Sequence, residues 1–216
     1  GKTPVARLLA KLFQSMGLLA KGHLVEVERA DLVGEYIGHT AQKTRELVKK
    51  ALGGVLFVDE AYSLARGGEK DFGKEAIDTL VKAMEDFKNQ FVLILAGYTL
   101  EIETFLMTNP GLPSRFPIQM TFPDYSVDQL IQIAEGMAKD RDYTLLPQTV
   151  YKLRQLLMQE KAEAIYDFSN ARFVRNVLER AIRNQAVRLL SQHPASSPGR
   201  QELMALRPED VRGLQQ

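Results

Sequence analysis

The sequence predicts an α/β fold, in which helices flank a parallel sheet, followed by a small all-helical domain. Two runs, VLFVDE (55–60) and FVLILAG (91–97), are short, rich in β-favouring residues and almost wholly apolar. Strands that are apolar on both faces are typical of a parallel sheet that helices cover on each side. After FPDYS (122–126) strand-like runs disappear and helical patterns dominate. The character of the chain therefore changes near Pro123.

The first part of the chain alternates between helical and strand-like patterns. Apolar residues recur at helical spacing from Val5 to Met16, and Gly17 ends that run. In chain order the sequence predicts a helix that ends at Gly17, a strand over 23–29, a loop with two glycines, a helix over 41–52, the strand over 55–60, a charged loop over 65–75, a helix that ends at Phe87 and the strand over 91–97.

The second part of the chain is predicted to be helical. Its three helices are expected over 126–140, about 147–160 and 169–192. Ser169 and Asn170 are good capping residues for the last of them. The sequence thus divides into an α/β domain over 1–123, a helical domain over 124–192 and a tail over 193–216.

The composition excludes several classes of protein. Lys plus Arg total 28 and Asp plus Glu total 27, so the net charge of +1 gives no basic excess for nucleic acid or a membrane surface. The absence of cysteine excludes disulfides, zinc-thiolate sites and a thiol nucleophile, and it fits a cytoplasmic protein. No apolar run approaches the ~20 residues of a membrane helix. Since the first residue is Gly and no signal peptide follows, we expect the sequence to begin inside a longer protein.

Two motifs carry residues that are typical of phosphate chemistry. Gly1-Lys2-Thr3 matches the end of the phosphate-binding loop GxxxxGK[ST] and begins an amphipathic helix. Helix N-termini bind phosphate, a lysine reaches the β- and γ-phosphates, and a threonine hydroxyl binds Mg²⁺. Asp59 and Glu60 end a strand, at the sheet edge where α/β folds bind ligands. In P-loop ATPases the first acid of such a pair helps to hold Mg²⁺, and the second polarises the attacking water. Either motif alone is compatible with an ordinary helix start or loop, but together they favour an ATP site.

Two arginines are candidates for contact with phosphate. Arg115, in the Pro- and Gly-bounded loop NPGLPSRF (109–116), is either a surface residue paired with a carboxylate or an arginine finger that acts across a subunit boundary. Arg172 lies in the first turn of the last predicted helix, where a cation is unfavourable unless an anion comes close. The sequence alone leaves both roles of Arg115 open and makes Arg172 a candidate phosphate contact.

The segment GEYIG (34–38) places an aromatic and an aliphatic residue between two glycines. Tyr36 is either packed against its own domain or exposed to grip another molecule, and packing is the more common outcome for a tyrosine in a globular domain. The segment is therefore a candidate contact site only if the fold leaves it uncovered.

Taken in order, GKT, LVGEYIG, VLFVDEAYSL, LILAGY, NPGLPSRF and SNARFVRNVLERA resemble the AAA+ ATPases of the CbxX/CfxQ group, which have a P-loop NTPase fold and a helical lid. The resemblance extends from Gly1 to about Leu190. The group includes sporulation proteins and red-type rubisco activases, and the run over 21–86 is most similar to the sporulation members. Two features differ: the family has a strand and Gly-rich loop before Gly1, and a small residue or Thr where this chain has Pro4. We therefore expect this segment alone to bind ATP poorly.

The resemblance implies a role for each candidate residue. Gly1, Lys2 and Thr3 match the end of the Walker A motif, and Asp59 and Glu60 match Walker B. The remaining matches are Arg115 as arginine finger, Arg172 as the sensor-2 arginine, Tyr36, Ile37 and Gly38 as the substrate pore loop, and Gly97-Tyr98 or Asn109 as sensor-1 candidates. Thr3 and Asp59 would bind the metal.

The resemblance also implies a function. It predicts an Mg²⁺-dependent ATPase that binds ATP or ADP, assembles as a homo-oligomeric ring, expected to be hexameric, and pulls on a protein client. No nucleic acid and no membrane insertion are expected. Two alternatives stay open: a red-type rubisco activase, and a nucleotide-dependent assembly scaffold that remodels nothing.

Overall fold

A computed structural model of the chain describes residues 1–67, 71–164, 170–192 and 196–213. Ser169, parts of the predicted loop over 65–75 and parts of the tail lie outside the described residues. The chain divides into two compact units, Gly1–Phe122 and Pro123–Gln216, each with its own hydrophobic core.

The first unit contains a three-stranded parallel sheet in the order β1-β2-β3. The strands are β1 (Leu24–Val27), β2 (Val55–Val58) and β3 (Val92–Leu95). In register, Val27 pairs with Val58 and Val58 pairs with Leu95, so all three strands end at the same edge. The predicted strands and their parallel arrangement are confirmed, each with a four-residue core.

Helices surround this sheet. They are α1 (Lys2–Ser15), α2 (Arg29–Leu32), α3 (His39–Ala51), α4 (Gly73–Asp86), α5 (Thr99–Thr108), α6 (Leu112–Arg115) and a 3₁₀ turn over Ala61–Ala65. Four of these were not predicted: three span only four or five residues, and α5 exposes the apolar Leu100 and Met107, which hides its periodicity. The expectation of an irregular loop at Arg115 is wrong, because Arg115 is the last residue of α6.

The central strand β2 is buried on both faces, and its residues are at most 1% exposed. Val55 and Phe57 face α1, whose small Ala6 and Ala10 allow close packing. On the other face, Leu56 and Val58 belong to the larger cluster that α3 and α4 complete. Each buried side chain of this size stabilises the fold by about 1.5–3 kcal/mol. This burial fixes the position of the residues that follow β2.

The second unit is mainly helical, as predicted. It contains α7 (Val127–Lys139), α8 (Pro147–Glu163), α9 (Asn170–Gln192), α10 (Arg200–Met204), a 3₁₀ turn over Pro208–Asp210, and two short parallel strands, β4 (Thr144–Leu145) and β5 (Ala205–Leu206). Ser126 and Gln129 form a capping box at the start of α7. The two-residue strands were not predicted, since they are too short to show an alternating pattern. Within the described ranges no helix is both long and apolar enough to cross a membrane.

Part of the segment predicted as a tail contributes to the core of the second unit. Leu206 is fully buried and Val211 is 2% exposed. Side chains of α9 hold the segment: the Gln185 amide donates to the carbonyl oxygens of Leu203 and Ala205. Arg188 also forms a bidentate ion pair with Asp210. The described residues beyond 200 are therefore structurally part of the helical unit.

Candidate functional site

Asp59 and Glu60 follow β2 directly, at the carboxyl edge of the sheet. The Asp59 N–H donates to the Val27 carbonyl oxygen over 3.0 Å, and the Ala61 N–H donates to Ala96 over 3.0 Å. The turn after β2 is thus fixed between the ends of β1 and β3. Asp59 is half-buried and Glu60 is exposed.

Glu60 has an unusual backbone conformation for a residue with a side chain. Its φ of 47° and ψ of 47° lie in the left-handed region, which costs a non-glycine residue about 1–3 kcal/mol. The Glu60 N–H donates to the Asp59 carboxylate over 3.0 Å, and Glu60 is the N-cap of the 3₁₀ turn. Such conformations cluster at functional sites. Here it ends the strand abruptly and leaves the Glu60 carboxylate open to solvent.

Lys2 reaches the same edge from α1. Its ammonium group donates to the Gly97 carbonyl oxygen over 2.6 Å and lies 5.2 Å from the centroid of the Tyr98 ring. Gly97 directly follows the Ala96 that pairs with the turn after β2. A Cβ at Gly97 would lie 2.9 Å from Ile102 and 3.0 Å from Tyr62, so a larger residue would crowd this edge. The structure therefore brings Lys2 beside the strand that neighbours Asp59.

The N-terminus of α1 has the features of an anion site. Gly1 is its exposed N-cap, no side-chain cap is present among the described residues, and its first turn contains no acid. Pro4, in that first turn, has no N–H to offer. The Thr3 hydroxyl donates to the Glu26 carboxylate of β1 over 3.4 Å. The Thr3 hydroxyl thus points towards a carboxylate of the sheet.

Tyr62 adds a neutral hydroxyl group near the acids. Burial raises the pKa of Tyr62, and the negative charge of Glu60 raises it further. The Arg66 guanidinium lies 5.1 Å from the ring centroid and opposes these effects. The Tyr62 phenol consequently stays protonated at neutral pH.

Arg115 forms an ion pair within its own chain. One guanidinium nitrogen lies 2.7 Å from the Glu85 carboxylate, and the other donates to the Gly111 carbonyl oxygen over 3.1 Å. The side chain is 35% exposed. The sequence left open a pairing with a nearby carboxylate, and the structure shows one. An exposed pair of this kind contributes little to stability, so it holds Arg115 only weakly.

The Tyr36 segment is uncovered. Tyr36 is 65% exposed, so the packing alternative is wrong for its side chain, and the neighbouring Ile37 is 91% exposed. The Tyr36 ring contacts only the edge of His39 among its described aromatic neighbours, with centroids 5.3 Å apart. Gly38, at φ 84°, caps α3 in a conformation that favours glycine. The base is firmly held, since the Gly34 N–H donates to Thr40 over 2.9 Å.

The remaining candidates differ in their surroundings. Arg172 is exposed in the first turn of α9, in the second unit. The Asn109 amide donates to the Phe105 carbonyl oxygen over 2.7 Å, so it caps the end of α5. Of the two sensor-1 candidates, Gly97-Tyr98 is therefore the one in contact with Lys2.

Three partners of the candidate residues were not predicted from the sequence: Glu26 beside Thr3, Tyr62 beside Glu60, and Glu85, which pairs with Arg115. Glu26 was detectable in principle, as the acidic position of an otherwise apolar strand. Tyr62 directly follows the acidic motif and carried a weak signal. Glu85 lies 30 residues from Arg115 and is brought to it only by the fold.

A parallel sheet with an acidic pair at its carboxyl edge, a lysine from a helix N-terminus at the neighbouring strand, and a separate helical unit are features of a P-loop nucleotide-binding protein. The chain belongs to the AAA family of ATPases: residues 1–124 match the ATPase family associated with various cellular activities, and residues 126–216 match the AAA lid domain.

Relatives with known names show which members of this family the chain is similar to. The chain is 65% identical over 191 residues to stage V sporulation protein K of Bacillus subtilis, a match of 88% of this chain and 59% of that protein. It is 45% identical to Protein CbbX of Cereibacter sphaeroides over 98% of this chain and 68% of the relative. It is 41% identical to a chloroplastic ribulose bisphosphate carboxylase/oxygenase activase of Cyanidioschyzon merolae, over 98% of this chain and 71% of that protein. The predicted resemblance to the CbxX/CfxQ group is confirmed.

Solved structures support the fold. An Hsp104 structure with ATPγS and FITC casein is similar with a TM-score of 0.59 at 16% identity, over 87% of this chain and 31% of that chain. The AAA domain of FIGL-1 in complex with ADP is similar with a TM-score of 0.59 at 13% identity, over 88% of this chain and 63% of that chain. At these identities the likeness concerns the fold alone.

Proposed function

We propose that the protein is an Mg²⁺-dependent ATPase that assembles as a homo-oligomeric ring and uses hydrolysis to pull on a protein client. The observation that carries the proposal is the approach of Lys2 to the sheet edge where Asp59 and Glu60 end β2. Membership of the AAA family supports the binding and hydrolysis of ATP, and a relative named as a sporulation protein supports a sporulation role.

The residues present fit ATP and Mg²⁺. Gly1 and Lys2 offer backbone N–H groups and an ammonium charge to phosphate oxygens. The Thr3 hydroxyl and the Asp59 carboxylate are hard oxygen ligands, which Mg²⁺ prefers, and Glu26 adds a nearby carboxylate. When bound, the metal would neutralise charge on the phosphates. Arg172, exposed at a helix start, is proposed as a further phosphate contact.

Glu60 and Arg115 are proposed as the catalytic groups. The Glu60 carboxylate, exposed beyond the strand end, accepts a hydrogen bond from the attacking water and orients it. Arg115 acts on the site of a neighbouring copy, where its guanidinium stabilises charge on the transferring phosphoryl group. The weak pairing of Arg115 with Glu85 is compatible with its transfer to a stronger anionic partner.

Replacement of the proposed water-orienting acid tests the assignment. We expect Glu60→Gln to retain ATP binding and to lower turnover about 10²–10⁴-fold, because the amide cannot accept a proton. Glu103→Gln is a matched control, as Glu103 is an exposed acid on α5. Calorimetry measures binding and phosphate release measures turnover. Unchanged turnover in Glu60→Gln would remove Glu60 from the proposed mechanism.

The exposed Tyr36-Ile37-Gly38 segment is proposed to grip the client. An aromatic and an aliphatic side chain that are mostly exposed, on a base fixed by Gly34 and Thr40, can contact an extended polypeptide. We expect Tyr36→Ala to keep ATP hydrolysis and to lose the ATP-dependent binding of fluorescein-labelled casein, an unfolded polypeptide. A scaffold that remodels nothing would be indifferent to this change, so the experiment separates these two classes of function.

A red-type rubisco activase is the second candidate, favoured by the relative that carries the activase name. Both candidates share the ATPase and the ring, and they differ in the client. The purified protein would restore activity to inhibited red-type rubisco if this alternative holds. Failure to do so, with ATP-dependent binding of casein intact, would favour the sporulation-like function.

A further inference from the structure

Arg29 joins two parts of the first unit through three hydrogen bonds. It is the first residue of α2, and one guanidinium nitrogen contacts both carboxylate oxygens of Asp71 at 2.6 and 2.7 Å. The other nitrogen donates to the Ser63 carbonyl oxygen over 2.8 Å. The two side chains are only 32% and 16% exposed. This geometry depends on the planar fork of arginine, which lysine cannot reproduce.

The surroundings hold this pair in place. Hydrogen bonding from Arg29 is the main cause that lowers the pKa of Asp71, and backbone N–H groups of Gly73 and Phe72 add to it. The chain also passes closely here, because a Cβ at Gly73 would lie 1.9 Å from the Leu64 carbonyl oxygen. The Asp71 carboxylate is therefore charged and well fixed at neutral pH.

On one side, Arg29 is connected to the catalytic turn. The Ser63 N–H donates to the Glu60 carbonyl oxygen over 2.8 Å, within the 3₁₀ turn that begins after Glu60. The bond from Arg29 to the Ser63 carbonyl thus attaches to the same short turn. A change in the backbone of Glu60 would alter the position of the Ser63 carbonyl.

On the other side, Arg29 is connected to the Tyr36 segment. The Val33 N–H donates to the Arg29 carbonyl oxygen over 2.9 Å, and Lys43 donates to the Val33 carbonyl over 3.0 Å. The next residue, Gly34, donates to Thr40. The helix α2 is a single turn, so a displacement of Arg29 is carried directly to the base of the exposed segment.

We propose that the Arg29–Asp71 pair is the positioning link that couples the Glu60 turn to the Tyr36 segment. The inference rests on the proposed function. Neither residue is a catalytic group in it: Arg29 transmits the position of the turn, and Asp71 fixes the orientation of the guanidinium. The competing explanation is a structural brace that stabilises the unit and transmits nothing.

A fluorescent reporter distinguishes these explanations. The sequence contains no tryptophan, so Tyr36→Trp places a single indole in the exposed segment. The measurement is the change in its emission when Mg²⁺-ATP or Mg²⁺-ADP is added to the oligomeric protein. Arg29→Lys and Asp71→Asn are made in this parent. Ile77→Val, a small core truncation in α4, is the control for loss of stability alone.

We expect nucleotide to change the emission of the parent, and the change to fall about threefold or more in Arg29→Lys and Asp71→Asn. ATP affinity should stay within about threefold of the parent. Ile77→Val should keep the full change even where its melting temperature falls equally. Arg29→Lys is the more informative variant, since it keeps the charge and removes only the fork.

A full emission change in both variants would overturn the inference alone, and so would a loss of the change that follows melting temperature in all three variants. A parent that hydrolyses ATP without any emission change would also overturn it, while leaving the ATPase intact. A parent that neither binds nor hydrolyses ATP would instead overturn the proposed function, and this inference with it.

Discussion

The Lys2 ammonium group donates a 2.6 Å hydrogen bond to the carbonyl oxygen of Gly97, 95 residues further along the chain. This bond joins the N-terminus of α1 to the end of β3. A neutral carbonyl is a weaker partner for an ammonium group than a phosphate oxygen, since the phosphate carries a negative charge that attracts the ammonium group. Lys2 is therefore held at the edge of the sheet by a contact that, we propose, a nucleotide phosphate replaces.

Removal of the Lys2 charge should weaken nucleotide binding. We expect Lys2→Met to raise the ATP dissociation constant roughly 10–100-fold, because hydrogen bonds to charged groups contribute about 1.5–3 kcal/mol. Lys11→Met, on an exposed position of the same helix, is the matched control. Calorimetric titration measures both. Equal affinity of Lys2→Met and the unmodified protein would contradict the role of Lys2.

Elements with a clear local pattern of apolar residues could be predicted from the sequence. The four residues of β2 are all apolar, which predicts a central parallel strand, and the structure shows all four to be buried. Elements of a single turn could not be predicted, because α2 and α6 are four residues long and show no period. The short strands β4 and β5 escaped detection for the same reason.

The acids and the lysine of the candidate site could be predicted, since each belongs to a local motif. Their partners could not. Arg29 and Asp71 are 42 residues apart, and no local pattern links them. Whether Tyr36 is exposed depends on which surfaces the rest of the fold covers, so a sequence-based expectation of packing was reasonable and still wrong.

The Arg29–Asp71 pair makes stability depend on pH. Because the folded-state pKa of Asp71 lies below its ordinary value of 3.8, the contribution is complete above that pH and is lost as pH falls through the folded-state pKa. We expect Asp71→Asn to lower the free energy of unfolding by about 1.5–3 kcal/mol at neutral pH. Urea unfolding of both proteins should show this difference shrinking below 3.8. A difference that is constant into that acidic range would contradict the ion pair.

Arg188 and Asp210 should dominate the electrostatic stability of the second unit. Their side chains are 10% and 1% exposed, and two 2.9 Å contacts join them. Asp210→Asn should cost about 3–5 kcal/mol, because it leaves a mostly buried guanidinium without its counter-charge. Adding Arg188→Met should recover part of that loss. Arg154→Met removes the more exposed pair with Asp128 and should cost no more than about 1 kcal/mol by urea unfolding. Equal costs for the two single variants would contradict the burial argument.

Mixing inactive variants tests whether Arg115 acts between copies. Arg115→Ala should lower turnover roughly 10³–10⁵-fold, as expected for loss of an arginine finger. Glu60→Gln copies should hydrolyse ATP only slowly but still offer Arg115 to a neighbour. Equimolar mixing should therefore restore roughly a quarter of the normal rate, since random head-to-tail assembly pairs an intact Glu60 with a neighbouring Arg115 at about one interface in four. Mixing Arg115→Ala with Arg115→Lys should restore nothing, because lysine lacks the planar fork. If the first mixture stays inactive although mixed rings form, Arg115 acts within its own chain, and its contact with Glu85 becomes the more informative description of its role.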